Sequence, residues 1–375
     1  MIKDLFKNYI YPIAVFSGGM LGVGFLGLPY IAMKTGIWLM LLYFVILTVI
    51  VVAINMIFCE ISLKTPDYKR FPGFVGYYLG GKAKIFQILS TVLGTFGVLL
   101  AYLLIGSQFL KLIFYPIIPL NDLYYLLFYF FVVSVIVFFD IKIIAKVEFS
   151  IIVLLFLSFV LIFVESFSKI KISNIFVQNK INLSNFFLPY GALLFALWGT
   201  GIIPEIEEML GAQNLKKNLK KIIAVSTIII SIFYLLFILL ILGITGDKTD
   251  PTALAGLKNF LGNGIVTVAL VVGTLATFTA FITQALVLKK SLMFDLKIKH
   301  WQAFVMTCCP PLILFLFGFK SFIPIISIVG GVLLGISGIF ILIMYKKIGG
   351  KNIIIYPLLV VFLLGVIYEI IYFIK

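Results

Sequence analysis

The sequence predicts an all-α membrane protein of eleven transmembrane helices. Ten of these form an inverted repeat of five plus five, with helices one and six broken. Four observations carry this expectation. Hydrophobic residues make up 63% and charged residues only 11% of the 375 positions, a balance that no soluble domain sustains. Uncharged apolar runs near the ~20 residues that cross a bilayer as a helix recur from end to end. Stretches such as LLYFVILTVIVVAINMIF are apolar throughout, without the alternation of a membrane β-barrel. Finally, a glycine-rich stretch closed by a proline occurs in the first run and again five runs later.

Apolar runs bounded by charges and turn residues place the spans at 10–33, 37–62, 83–114, 122–140, 147–168, 185–209, 220–245, 259–290, 300–319, 321–345 and 352–374. Span one follows a short basic lead, Lys3 and Lys7, as a signal peptide would. It has no small-residue cleavage site and runs on past Pro29, so it is read as a span. The longest connections, 63–82, 169–184 and 246–258, are too short to fold alone. The chain is therefore expected to be one integral membrane domain, 1–375, with repeats of about 10–168 and 185–345 and an additional helix at 352–374.

The formal charge of +15 would suit nucleic acid, but the lysines lie in short clusters between apolar runs rather than on one solvated face. Membrane orientation accounts for them. With the N-terminus inside, 20 of the 29 basic residues fall in cytoplasmic segments, so the chain is expected in the cell (inner or plasma) membrane with its C-terminus external. No nucleic-acid partner is expected.

Two spans resist reading as plain helices. In span one, Gly18, Gly19, Gly22, Gly24 and Gly27 precede Pro29; in span six, LLFALWGTGIIPEIEEML, Gly199 and Gly201 precede Pro204. A glycine costs about 1 kcal/mol inside a helix and a proline about 3 kcal/mol, so both spans should unwind. Unwound backbone at membrane depth is tolerated only where it lines a cavity or is buried in protein. Close helix packing is the competing explanation, and Gly18 with Gly22 has its spacing; IVGGVLLGISG in span ten is read that way. Segments five spans apart run in opposite directions, as paired breaks around a midplane substrate site require. Gly22, Gly24 and Gly27 also spell the dinucleotide fingerprint G-x-G-x-x-G. No acid follows at the needed distance of about 20 residues, the first being Glu60, so that motif is set aside.

The stretch GGMLGVGFLGLPYIAMKTG resembles the first span of the amino acid/auxin permease family and its bacterial relatives, the hydroxy and aromatic amino acid permeases. Gly18, Gly22, Gly24, Leu26, Pro29 and Gly36 fall on that family's pattern, with Phe25 in place of the usual aliphatic residue. FALWGTGIIPEI is similar to its sixth-span break, and STVLGTFGVLLAYLLIGSQFL to its third span, with Tyr102 in the usual place. The resemblance implies a LeuT-type fold, alternating access, and secondary transport of amino acids driven by a proton or sodium gradient.

A free amino acid carries a carboxylate and an ammonium group, and a broken helix offers bare donors and bare acceptors to both. The N–H groups of Gly22, Val23 and Gly24 are expected to meet the carboxylate at the positive end of the second half-helix. Carbonyls around Gly18, Phe195 and Trp198, beside Gly199, are expected to meet the ammonium. Phe195, Trp198, Phe96, Tyr102 and Phe281 are candidates for the side-chain pocket, suiting a large apolar or aromatic substrate.

No cofactor is expected beyond a coupling ion, proton or sodium. The resemblance places a sodium site between span-one carbonyls and span-eight hydroxyls, where TLATFTAFITQ supplies Thr277 and Thr279. The second family hydroxyl is replaced by Ala280, and span one lacks the asparagine of sodium-coupled relatives. For protons, intramembrane acids are functional candidates. Glu205, directly after the sixth-span break, comes first and Glu60 second. Glu165 and Glu369 are expected to reach the interface, and Glu207, Glu208, Asp140 and Asp295 to be helix-end or loop charges. His300 is expected to be solvated.

Other classes fit poorly. A channel or receptor-like polytopic protein is the alternative, but selectivity loops, charged pore rings and a large ligand-binding loop are missing from the sequence. An enzyme would need clustered acids and histidines, and one His in 375 residues argues against it. Cys59, Cys308 and Cys309 lie in or beside apolar runs with no metal-ligand spacing.

Overall fold

The computed structural model describes residues 6–66, 69–139, 144–176, 185–261, 263–295 and 297–374, and these contain helices but no strand. Lys3 and Asp140 lie outside the described residues, as do the side chains of Lys7 and Asp295.

Span one is broken where expected. A π-helical turn, Phe6–Ile10, leads into the helix Tyr11–Met20. Leu21 and Gly22 leave the helix, and the chain resumes as the 3-10 turn Val23–Gly27 and the helix Leu28–Thr35, bent by 54° from the first half. Pro29 sits in the first turn of that second helix, where its missing N–H costs nothing. Gly36, at φ 85°, ends it in a conformation that side chains disfavour, and span two, Ile37–Lys64, starts immediately after.

Part of the 63–82 connection is a helix, Phe71–Leu79, with Pro72 in its first turn and Gly80 at φ 90° after its last. Its Phe74 is buried edge-on against Phe58 of span two, at 5.2 Å between ring centroids. Spans three, four and five are Gly81–Phe114, Asp122–Phe138 and Ile144–Ser166.

Span six is the second break. Its first half, Leu188–Leu197, ends at Trp198; Gly199 begins a 3-10 turn over Thr200–Ile202, and the helix resumes at Ile203. Helical backbone continues to Thr245, through the connection between the spans expected at 185–209 and 220–245. The linking GAQNLKKNLKK is charged but holds helix formers and no proline, so the chain passes from span six to span seven, Asn218–Lys248, without leaving helical hydrogen bonding. Glu207 bonds Ser62 and Lys220 pairs with Glu60, so both segments meet the same end of span two.

Span eight is Asn263–Asp295 and span nine His300–Leu316. Span ten runs from Phe322–Ile328 through a π segment, Val329–Leu334, to Gly335–Lys347, and span eleven is Asn352–Ile374. Among the described residues, six helices are each long and apolar enough to cross a membrane, and the bent span one makes a seventh. Spans four and nine, at 17 residues each, are shorter.

Corresponding spans of the two halves meet: one with six, two with seven, three with eight. Outward faces are apolar, as with Val45 and Val49 one turn apart, 62% and 64% exposed. Such faces need a lipid solvent.

Candidate substrate site at the broken helices

The segment between the halves of span one is walled in completely. Val23, Gly24, Phe25, Leu26 and Gly27 are all buried. Its backbone accounting is specific: Leu21 N–H donates to Ser17 O and Gly18 O, Gly22 N–H to Met20 O at 2.8 Å, and the Tyr234 hydroxyl to Met20 O at 2.7 Å. The first amides of the new helix, from Val23 onward, have no acceptor within it. They form the positive end of the half-helix.

A cavity of about 20 Å³ lies against this break, room for about one water. Leu21, Gly22, Val23, Phe25 and Leu26 form one wall, with Tyr102 and Phe109 of span three, Ser158 and Phe159 of span five, and Gly273, Ala276, Thr277 and Ala280 of span eight opposite. A Cβ on Gly22 would stand 3.1 Å from the Tyr102 hydroxyl, so that hydroxyl and the break face each other. Phe25 anchors the floor, stacked on Tyr234 at 5.4 Å and edge-on to Phe159 and Phe237. Among the expected site residues, Gly22, Val23, Tyr102 and Thr277 thus come together.

Others take different places. Gly24 faces the half-helix of span six, where a Cβ would sit 2.5 Å from Phe195 Cδ1 and 3.2 Å from Ala196 Cα. The absent side chain is a packing requirement there. Gly199 similarly receives Phe16, whose Cζ would be 2.6 Å from an added Cβ, and Gly18 is buried with its carbonyl accepting from Leu21. Trp198 is partly buried and turns edge-on to Phe362 of span eleven, at 6.4 Å. Phe195 meets Gly24 rather than the cavity. Phe96 packs near Leu288 and Ala303, and Phe281 against Tyr129; neither lines the cavity.

Thr277 lines the cavity with its hydroxyl donating to Thr274 O at 2.8 Å, whereas Thr279 donates back to Leu275 O and Ala276 O at 3.1 Å. Glu205 is exposed in the first turn after the sixth-span break. Glu60 is held by Lys64 at 3.1 Å and Lys220 at 3.5 Å. Glu207, expected as a simple helix-end charge, is buried on Ser62, because span two closes over that turn. Glu165 is exposed, but Glu369, expected at the interface, is only 3% exposed. Spans ten and six cover it, which its own sequence neighbourhood does not reveal. His300 is half-buried, its ring 5.6 Å from that of Phe138, so it is not the free surface histidine expected.

Phe109, Ser158, Phe159 and Gly273 were not singled out in the sequence. Nothing in their apolar runs marks them. Phe109 and Gly273 are matched, since a Cβ on Gly273 would lie 2.9 Å from the Phe109 ring.

A second, larger space of about 1210 Å³ opens at the Thr35 end of span one. Tyr30, Lys34, Ser107, Gln108, Asp250 and Lys320 are among its walls, as is Ser327. It forms a vestibule on one side of the bundle.

Known structures share this architecture. The chain is similar to the structure of MhsT in complex with L-phenylalanine, at 14% identity and a TM-score of 0.59, over 96% of this chain and 98% of that one. It is also similar to the Eremococcus coleocola manganese transporter, at 12% identity and a TM-score of 0.66, over 99% of this chain and 86% of that one. Comparison with curated proteins by sequence returned no match. The fold is thus the LeuT type, with both breaks in place. The model of the tryptophan/tyrosine permease family matches residues 7–366, and the chain belongs to that family, a secondary transporter of amino acids.

Proposed function

We propose that this chain carries an aromatic amino acid, tryptophan or tyrosine, by proton-driven symport, binding it at the break of span one. The observation that carries this reading is the convergence of the Val23 amide end of a half-helix with the Tyr102 hydroxyl on a cavity walled by Phe25, Phe109 and Phe159. The amides and hydroxyl suit a carboxylate, and the rings suit an aromatic side chain. Carbonyls at the two breaks, which keep a second lone pair even where one is used as at Gly18, suit the ammonium. The family's description and the L-phenylalanine bound to MhsT support an aromatic substrate. The first-span likeness to the amino acid/auxin permeases belongs to the same reading.

At about 20 Å³ the cavity is closed to such a ligand, so binding requires its walls to part about the two breaks. For coupling, span eight presents Thr277 and the bare methyl of Ala280 to the cavity, a poor set for dehydrated sodium. A proton is favoured, with Glu205 as the first carboxyl after the sixth-span break. The chain is oriented with its N-terminus cytoplasmic in the cell membrane, which makes the vestibule external.

Proteoliposome counterflow with labelled tryptophan, tyrosine, phenylalanine and small amino acids tests the substrate. Preference for small amino acids would reject the aromatic reading. Glu205→Gln is expected to retain counterflow and lose accumulation driven by an imposed pH gradient; stimulation by sodium at constant pH would reject proton coupling. Single-cysteine labelling at Lys171 from outside and Lys69 from inside checks orientation, and the reverse pattern would invert it.

A further inference from the structure

Glu369 of span eleven lies within the bundle rather than at its rim. Its side chain is 3% exposed, its Oε1 has no hydrogen-bond partner, and among the described residues it joins no ion pair. Two glycines make its room. A Cβ on Gly191 of span six would lie 2.5 Å from Oε1, and one on Gly331 in the π segment of span ten would run into Cγ.

Two hydroxyls around the same Gly191 backbone are also without partners. The Tyr190 hydroxyl and the Ser327 hydroxyl are buried without partners, on residues 4% and 2% exposed. Tyr190 lays its ring on Gly365, one turn of span eleven from Glu369. The titratable neighbours are Tyr190 from span six, Tyr368 from span eleven itself, and Tyr43 of span two, which faces both tyrosines; Tyr372 stands beside Tyr368. Span ten contributes Ser327, the backbone N–H of Gly191 in span six reaches the carboxyl, and no lysine, arginine or histidine acts on Glu369. An ionised carboxylate so placed would be costly, and unpaired hydroxyls beside it are costly in turn.

The cluster touches both the vestibule and the substrate site. Ser327 is part of the vestibule wall. In the other direction, Gly330 packs on Gly191 O and the Phe195 amide, and the Phe195 ring packs on Gly24 at the break. The charge on Glu369 therefore bears on the half-helix Leu188–Leu197, whose opposite face closes span one.

We propose that Glu369, Tyr190 and Ser327 form a proton-exchange site in which the Glu369 carboxylate takes a proton from vestibule water past Ser327 and returns it during the transport cycle. This rests on the reading of the chain as a proton-coupled transporter. It differs from the Glu205 assignment in lying on the vestibule side of the break. In proteoliposomes, Glu369→Gln is expected to keep counterflow of labelled tryptophan at fixed pH and to lose accumulation under an imposed pH gradient at least tenfold. Infrared difference spectra between acid and alkaline pH should show a carboxylic-acid band in the unsubstituted protein that Glu369→Gln removes. Undiminished pH-driven accumulation in Glu369→Gln, or a Glu369 band indifferent to pH, would overturn the site and leave a structural acid. If Glu369→Gln does not insert, Tyr190→Phe should shift the pH midpoint of uptake; an unmoved midpoint overturns it too. Absent counterflow in the unsubstituted protein would instead reject the transport reading, while the infrared titration still decides Glu369.

Discussion

The two breaks were alike in sequence, each a run of glycines closed by a proline, yet the structure packs them differently. Around span one every residue from Val23 to Gly27 is buried, and Gly24 and Gly27 each face a neighbour that a side chain would strike, Phe195 and Ile323. Around span six, Gly199 is similarly enclosed by Phe16, but Gly201 is exposed with nothing within 4 Å of an added Cβ. The first break is therefore held by contact, and the second has slack on its far side. Glycine in the first is a steric necessity; at Gly201 neither a contact nor a positive φ demands it.

Substitutions can break or sharpen this contrast. The largest effect is expected at Gly24→Val, where even the Cβ meets the Ala196 backbone. Uptake should fall to background while the protein still inserts, and uptake near the unsubstituted level would mean the break is not clamped. Next, Tyr102→Phe should raise the substrate KM about tenfold, equivalent to about 1.4 kcal/mol, by removing the hydroxyl that faces Gly22. A lowered kcat at constant KM would place that hydroxyl away from the bound substrate. Gly199→Ala comes third. Its Cβ would press on the end of the Phe16 ring, a side chain that can shift, so a loss of about 1–3 kcal/mol in stability is expected, read as a lower melting temperature in detergent. Smallest is Gly201→Ala, whose site lies outside the positive-φ region and is open; uptake rates should stay within about twofold. Loss of transport there would make the second break as constrained as the first.

Both breaks, the run of spans and the place of Tyr102 were legible in the sequence. A Gly-rich run before Pro29 or Pro204 cannot continue a helix cheaply whatever surrounds it, so that signal is local. Apolar length is local as well, which is why span eleven was found at the residues the structure gives it. The helix Phe71–Leu79 was missed because a short, partly buried helix lacks the length that marks a span, and its Pro72 and Gly80 read equally well as loop residues.

What the sequence by itself determined is which segments enter the membrane and where two of them cannot stay helical, since transfer free energy and backbone propensity are properties of the segment. Only the tertiary structure decided which face of each span turns inward. In lipid the inner and outer faces of a helix are both apolar, so no amphipathic pattern points to the partner. In sequence Trp198 therefore looks as well placed as Tyr102, with Phe195 a further candidate, yet Tyr102 meets the cavity while Trp198 turns to Phe362 and Phe195 fills the space that Gly24 leaves. The same reason hid Glu369, placed toward a helix end by its number and enclosed by Gly191 and Gly331, from spans 178 and 38 residues away in the chain.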